Sequence, residues 1–282
     1  TSPTFTYCPE NITVDADESC LAIVSWNDPT ATDNCGVNVT HTGGSESGQY
    51  FSMGSSTISY TATDDSGLTA ECSFTVTVQD VTPPTLACQP GEVAVYLSGT
   101  TATVAAEDVF WYGSDNCGYL YNDSVSPATF GCSDIGSSHT VTLTVHDGNG
   151  NSSTCSASVM VYDNEAPTAA CQNISVDLDA SGNVSISAGD INNDSSDNCG
   201  LDGVSIDVSD FDCDDVGTNT VTLTATDIYG NTSSCAATVE VNDNTAPSAI
   251  CKSISVDLDE NNSASIEGSD IDDGSDDACG LY

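Results

Sequence analysis

Strict alternation of apolar and polar residues, with no helical periodicity, and one cysteine-bearing unit written repeatedly predict an all-β chain of tandem, disulfide-stapled sandwich domains. In the third copy Ile174, Val176 and Leu178 alternate with Ser175, Asp177 and Asp179. Val221, Leu223 and Ala225 alternate with Thr222, Thr224 and Thr226, and after a turn at Tyr229-Gly230-Asn231 the pattern resumes at Ala237, Val239 and Val241. Strands of this kind bury one face and keep a threonine-rich face wet, as antiparallel sandwiches do. About seven short strands in roughly 80 residues, punctuated by Gly, Asn and Asp, give the count of an immunoglobulin-like sandwich.

The repeats fix the domain organisation. Asn-Cys-Gly recurs at Cys35, Cys117 and Cys199, and Ala-Cys-Gly stands at Cys279, at steps of 82, 82 and 80 residues. Each last strand ends in an Asp-x-x-x-Pro signal: Asp80 to Pro84, Asp163 to Pro167 and Asp243 to Pro247. The expected domains are therefore 1–81, 82–164, 165–244 and, as the first part of a fourth sandwich, 245–282. Linkers of a few residues keep neighbouring domains from tumbling freely, which predicts a semi-rigid rod. With no signal peptide before Thr1, the chain reads as a mature or excised segment.

Composition narrows the function. Forty-three acidic residues face one lysine, Lys252, and no arginine, for a formal charge of −42, yet only 16% of residues are charged. Ordinary proteins carry about 25%, so bases have been removed rather than acids added. Nucleic acid is excluded as a partner because a single lysine against 43 acids cannot neutralise phosphates, and anionic membranes are excluded for the same reason. No run approaches the roughly 20 apolar residues of a membrane span, so this segment is not expected to insert into a membrane. Self-repulsion on this scale calls for bound metal or high salt.

Fourteen cysteines fall 4, 4, 4 and 2 per repeat. An even count in small domains argues for disulfides and an extracellular, oxidising compartment. Zinc fits poorly, since no C-x-x-C pair occurs and the histidines are only His41, His139 and His146. Three cysteine positions are constant per repeat and one varies. If two constants always pair, the expected bridges are Cys8–Cys20, Cys35–Cys72, Cys88–Cys132, Cys117–Cys155, Cys171–Cys213 and Cys199–Cys235, although four cysteines allow three pairings in each repeat.

The first repeat carries Cys8-Pro9-Glu10-Asn11-Ile12-Thr13-Val14, then Trp26, Pro29 to Gly36 around Asp33-Asn34-Cys35, then Tyr60-Thr61-Ala62-Thr63-Asp64 and Cys72-Ser73-Phe74. This pattern closely resembles a hyalin repeat (HYR), and the later copies look like acidic variants in tandem on secreted bacterial surface proteins. The resemblance implies an extracellular, immunoglobulin-like module linked to adhesion, and no enzyme.

Two acidic loops are the candidate calcium ligands. Asp190, Asn192, Asp194 and Asp197 precede one Cys-Gly turn, and Asp270, Asp272, Asp276 and Asp277 precede the next. Oxygens at alternate positions of a turn can converge on one hard cation. The second repeat has Glu107, Asp108 and Asp115 around an apolar insert, Val109 to Tyr112. A second set lies at the junctions: Asp163 and Asp243 before the prolines, with the hairpin acids Asp147 and Asp227. Solvated turns are the plain alternative for both sets. Sequons make Asn11, Asn38, Asn122, Asn151, Asn173, Asn183, Asn193, Asn231 and Asn261 candidate glycosylation sites. Trp111 and Tyr112 are candidate contact residues for a sugar or another chain. The functional expectation is a calcium-stiffened structural or adhesive rod, an adhesin shaft or filament subunit, which self-associates or meets cell-surface and glycan partners. The alternative is a ligand- or glycan-binding accessory module of a larger secreted enzyme or receptor.

Overall fold

A computed structural model describes residues 1–280; the side chains of Asn122 and Asp123 fall outside that description. In the first repeat the strands are β1 (Thr4–Tyr7), β2 (Ile12–Asp15), β3 (Leu21–Val24), β4 (Thr30–Thr32), β5 (Val37–Gly43), β6 (Gln49–Ser52), β7 (Gly54–Asp64) and β8 (Thr69–Gln79). The main sheet runs β2-β8-β7-β5, and the pairs β1-β4 and β3-β6 make up the other layer. β7 and β8 form a long antiparallel hairpin, while β2 joins β8 in parallel from Ile12 opposite Val76 to Asp15 opposite Gln79. An early strand parallel to the last strand, with a hairpin and a third antiparallel strand beside it, is the immunoglobulin-like arrangement.

Alternation builds the core as the sequence requires. Ile58, Tyr60 and Ala62 of β7 and Phe74, Val76 and Val78 of β8 point inward, and Ala22, Val24 and Phe51 of the opposite layer close over them. Burying side chains of this size stabilises by about 1.5–3 kcal/mol each. Trp26 seals one edge: its ring meets Phe74 and Phe51 edge-on at 5.2 and 5.9 Å, and Nε1 donates to Tyr60 Oη at 2.9 Å.

The second and third repeats reuse the plan. In the second, Glu92–Tyr96, Ser152–Tyr162, Ser138–His146 and Tyr121–Ser126 lie in that order in one sheet. In the third, Ile174–Asp177 runs parallel to Thr232–Asn242, which pairs with Gly217–Asp227, which pairs with Leu201–Ile206. Its core gathers Leu178, Ile191, Phe211, Val221, Leu223 and Val239. The chain divides into two compact units, residues 1–95 with 102–162, and residues 96–101 with those from Asp163 onward. Among the described residues no helix is long and apolar enough to cross a membrane.

The disulfides correct the expected pairing. Cys8–Cys72, Cys88–Cys155 and Cys171–Cys235 each close one repeat, whereas Cys20–Cys117 and Cys213–Cys279 join successive repeats. Cys132 and Cys199 are also disulfide-bonded, and Cys35 and Cys251 are free. The expected bridges Cys8–Cys20, Cys35–Cys72, Cys88–Cys132, Cys117–Cys155, Cys171–Cys213 and Cys199–Cys235 are thus replaced. The reason lies in the parallel pairing, which lays the segment holding Cys8 against the strand holding Cys72. Cys20 is then left in the turn between β2 and β3 with φ of 60°, where it reaches the neighbouring repeat.

Candidate metal centres

Three segments of chain meet at each candidate centre. In the first compact unit these are Asp80, after the last strand of the first repeat, Asp115, in the Asp115-Asn116-Cys117-Gly118 turn, and Asp147, at the head of the following hairpin. Asp163, Asp197 and Asp227 repeat the arrangement in the second unit. In each trio one carboxylate oxygen per residue lies within 4.8 Å of the others.

Local hydrogen bonds aim these side chains. Asp147 Oδ1 accepts from the backbone N–H groups of Asn149, Gly150 and Asn151 at 2.7–2.9 Å, and Asp147 Oδ2 accepts from Asn151 Nδ2 at 2.7 Å. Asp227 is held likewise by the N–H groups of Tyr229 and Asn231 at 2.8 Å and by Asn231 Nδ2 at 2.7 Å. The same asparagines reach back to the linker: Asn151 Nδ2 donates to Asp80 O and Asn231 Nδ2 to Asp163 O, both at 3.3 Å. Asp115 Oδ1 accepts from Cys117 N–H, and Asp197 Oδ2 from Cys199 N–H, each at 2.8 Å.

What remains unsatisfied is informative. Asp115 Oδ2, Asp163 Oδ2 and Asp197 Oδ1 are buried oxygens with no hydrogen-bond partner. Asp80, Asp147 and Asp227 are buried as residues. Burial pushes the Asp147 and Asp227 carboxyls up, but the asparagine side-chain and backbone hydrogen bonds together outweigh it, so both lie below the ordinary 3.8. Unit charges 4.8 Å apart repel by roughly 3.5 kcal/mol per pair at an effective dielectric near 20. Oxygens sharing a calcium ion at 2.3–2.6 Å are at most about 5 Å apart, so these trios fit a divalent hard cation.

The two acidic loops are built differently from the expectation. Asp190 and Asp270 cap the short helices Ala188–Ile191 and Gly268–Ile271, their Oδ2 atoms accepting from Ser187 N–H at 2.8 Å and Glu267 N–H at 2.9 Å. Asn192 and Asp272 turn inward on Ser195 N–H and Ser275 N–H. Asp194 is exposed at φ of 61°, and Asp276 is exposed in a bridge to Ser248. Only Asp197 of the first loop joins a trio. Asp277 holds the matching position in the second, with a buried, unpartnered Oδ2, and Asp243 accepts from Thr245 N–H. Asp80 was not among the sequence candidates for the site, and Asp115 was noted only with Glu107 and Asp108 beside the apolar insert, although an acid two residues before every Cys-Gly turn, at Asp33, Asp115, Asp197 and Asp277, was the available signal.

Of the sequons, Asn11, Asn38, Asn173, Asn183, Asn193 and Asn261 are exposed. Asn122 has its side chain outside the described residues. Asn151 and Asn231 give both amide hydrogens to the centres just described, which leaves none for a glycan. Trp111 and Tyr112 are 56% and 55% exposed.

The segment from Cys8 through Trp26 and Cys35 to Cys72, with Trp26 packed on Phe74, can be compared with known families. Residues 1–78 match the HYR domain. The HYR match is accompanied by hyalin of Strongylocentrotus purpuratus, 32% identical over 172 residues, which is 51% of this chain and 14% of that protein. The sushi, von Willebrand factor type A, EGF and pentraxin domain-containing protein 1 of Rattus norvegicus is 42% identical over 82 residues, 28% of this chain and 2% of the relative. The chain thus spans a small part of these curated relatives, and they are animal proteins, which gives no support to a bacterial type. Among solved structures, Sidekick-1 immunoglobulin domains 1–5 align over 86% of this chain and 59% of that one, at 12% identity and a TM-score of 0.40. The protocadherin GammaB4 extracellular domain covers 93% of this chain and 52% of its own, at 14% identity and a TM-score of 0.29.

Proposed function

We propose that this chain is a segment of an extracellular structural and adhesive protein. Its repeats, taken as domains 1–81, 82–164, 165–244 and 245 onward, form a rod stiffened by calcium. The observation that carries this reading is the pair of carboxylate trios with buried, unpartnered oxygens in a chain whose only basic side chains besides histidine come from Lys252. Calcium would supply the positive charge that the chain itself lacks. Asp80 and Asp163 reach the trios from the end of the preceding repeat, Asp115 and Asp197 from the Cys-Gly turn, and Asp147 and Asp227 from the hairpin. A cation held by all three fixes the linker against the next sandwich, and the angle between neighbours with it. Disulfides in every repeat favour secretion and the cell surface, and the hyalin similarity favours self-association or cell-surface contacts over catalysis.

The test is calorimetry with calcium on the full chain, joined to small-angle scattering with and without chelator. Binding in the 10⁻⁴ to 10⁻³ M class typical of extracellular modules is expected, with loss of extension on chelation. No heat and an unchanged scattering curve would overturn the proposal. A glycan-contact reading is favoured only by the exposure of Trp111 and Tyr112. Binding of immobilised oligosaccharides that is lost in Trp111→Ala would move the assignment toward an accessory binding module.

A further inference from the structure

The cation trio of the first compact unit and the disulfide between its two repeats share one four-residue turn. Cys117 is the residue whose N–H holds Asp115 Oδ1 at 2.8 Å, and its sulfur is bonded to Cys20 of the preceding repeat. Asn116, between them, donates from Nδ2 to Asp17 O at 3.2 Å, in the turn between β2 and β3 that carries Cys20. The linker carboxylate is tied from the other side: Asp80 Oδ2 accepts from Asn149 Nδ2 at 3.0 Å, and Asp80 O accepts from Asn151 Nδ2. The disulfide and the trio therefore share the Cys-Gly turn of one repeat, and the turn bearing Cys20 lies beside the trailing end of the repeat before it, where Ala16 N–H donates to Gln79 O, one residue before Asp80, at 2.8 Å. Asn198 Nδ2 makes the matching bond to Gly99 O at 2.7 Å in the second unit, with Asp197 at the same place in its turn.

We propose that the Cys20–Cys117 disulfide sets the calcium affinity of the Asp80–Asp115–Asp147 trio, making this centre a redox-gated cation site. The inference rests on the calcium reading above. With the bridge closed, the turn bearing Asp115 is fixed relative to the first repeat, and Asp80 arrives already positioned. Reduction by a dithiol breaks the S–S bond and leaves two thiols, while the reductant loses two electrons and two protons and closes into its own disulfide. Asp115 then keeps its turn, but that turn is held to the first repeat only through the linker and the Asn116–Asp17 hydrogen bond. Bringing Asp80 into the trio now requires ordering a joint that is looser, and affinity falls. Linkage makes the effect reciprocal: if the bridge strengthens calcium binding by some factor, calcium favours the bridge over the dithiol by the same factor.

The experiment equilibrates the full chain in dithiothreitol redox buffers with and without calcium. Alkylation and peptide mass spectrometry then read each bridge separately. The expected result is a shift of the Cys20–Cys117 equilibrium toward disulfide of roughly fivefold or more with calcium, in the ordinary range of site coupling. The within-repeat bridge Cys8–Cys72, which touches no trio, should move far less. Calorimetry on the same samples supplies the second reading. Calcium heat with no selective shift of Cys20–Cys117 overturns the coupling and leaves the calcium reading standing. Absence of calcium heat in the oxidised chain overturns both. A Cys20→Ser/Cys117→Ser variant with unchanged calcium affinity would also overturn the coupling.

Discussion

Replacing Asp115 by Asn changes one atom in the trio and separates its two electrostatic consequences. The amide keeps a carbonyl oxygen for Cys117 N–H, so the turn survives, but one of three negative charges disappears. Asp115 lies within 4.8 Å of the ligand oxygens of both Asp80 and Asp147. Two such pairs are worth roughly 7 kcal/mol at an effective dielectric near 20, an upper limit. Partial exposure of Asp115 and mobile counterions reduce this to about 1–2 kcal/mol. In chelator the variant should therefore melt higher than the parent, by about 5–10 °C for a domain of this size. In calcium at ten times Kd the parent gains about 1.4 kcal/mol from binding, and the variant should gain little. Scanning calorimetry of both proteins in chelator and in calcium measures all four numbers. A variant that melts lower in chelator would mean the carboxylate is satisfied by the chain itself. A variant that keeps the full calcium response would mean Asp115 is no ligand. Either result refutes the reasoning.

Three further outcomes are expected. Asp147 and Asp227 have folded pKa values below 3.8, so their stabilising contribution is full above that value and is lost as pH falls through the depressed values. Acid titration in chelator followed by circular dichroism should show a shallower acid loss for Asn151→Ala and Asn231→Ala, which remove the side-chain hydrogen bond to each carboxylate and leave the backbone ones. In a glycosylating host, mass spectrometry should find glycans among the exposed sequons such as Asn11 and Asn173 and none at Asn151 or Asn231; occupancy at either would contradict their bonding. Non-reducing peptide mapping should recover Cys8–Cys72 and Cys20–Cys117 as separate bridges, with Cys35 and Cys251 alkylated without reductant.

The strands were readable because a half-buried strand writes its burial directly as alternation: Val221, Leu223 and Ala225 are all fully buried, as their pattern requires. The bridges were not. Pairing by elimination assumed that every cysteine closes its own repeat, and Cys20 and Cys213 do not, since strand direction, which sequence spacing does not encode, decides which segments lie side by side. The centres fall between these cases. Asp147, Asp163, Asp197 and Asp227 were named, but in two different groups, because a local search rewards acids close in sequence. Asp190 and Asp270 satisfied that search and are helix caps. The true neighbours come from three segments far apart in the chain, and only the shared position of Asp33, Asp115, Asp197 and Asp277 relative to the Cys-Gly turn hints at them.

The bridge that closes each repeat has a mechanical consequence. Cys8 and Cys72 sit near the two ends of a repeat of 82 residues and are 64 residues apart; Cys171 and Cys235 have the same separation. Tension along the chain passes from the entering segment through sulfur to the leaving strand and bypasses most of the sandwich. If the fold gives way under load, only the 18 residues outside the loop can straighten, about 60 Å of chain at roughly 3.5 Å per residue, instead of the nearly 290 Å of the whole repeat. A tether made of such links yields in short, bounded steps, and pulling single molecules before and after reduction should read the difference as a several-fold change in step length.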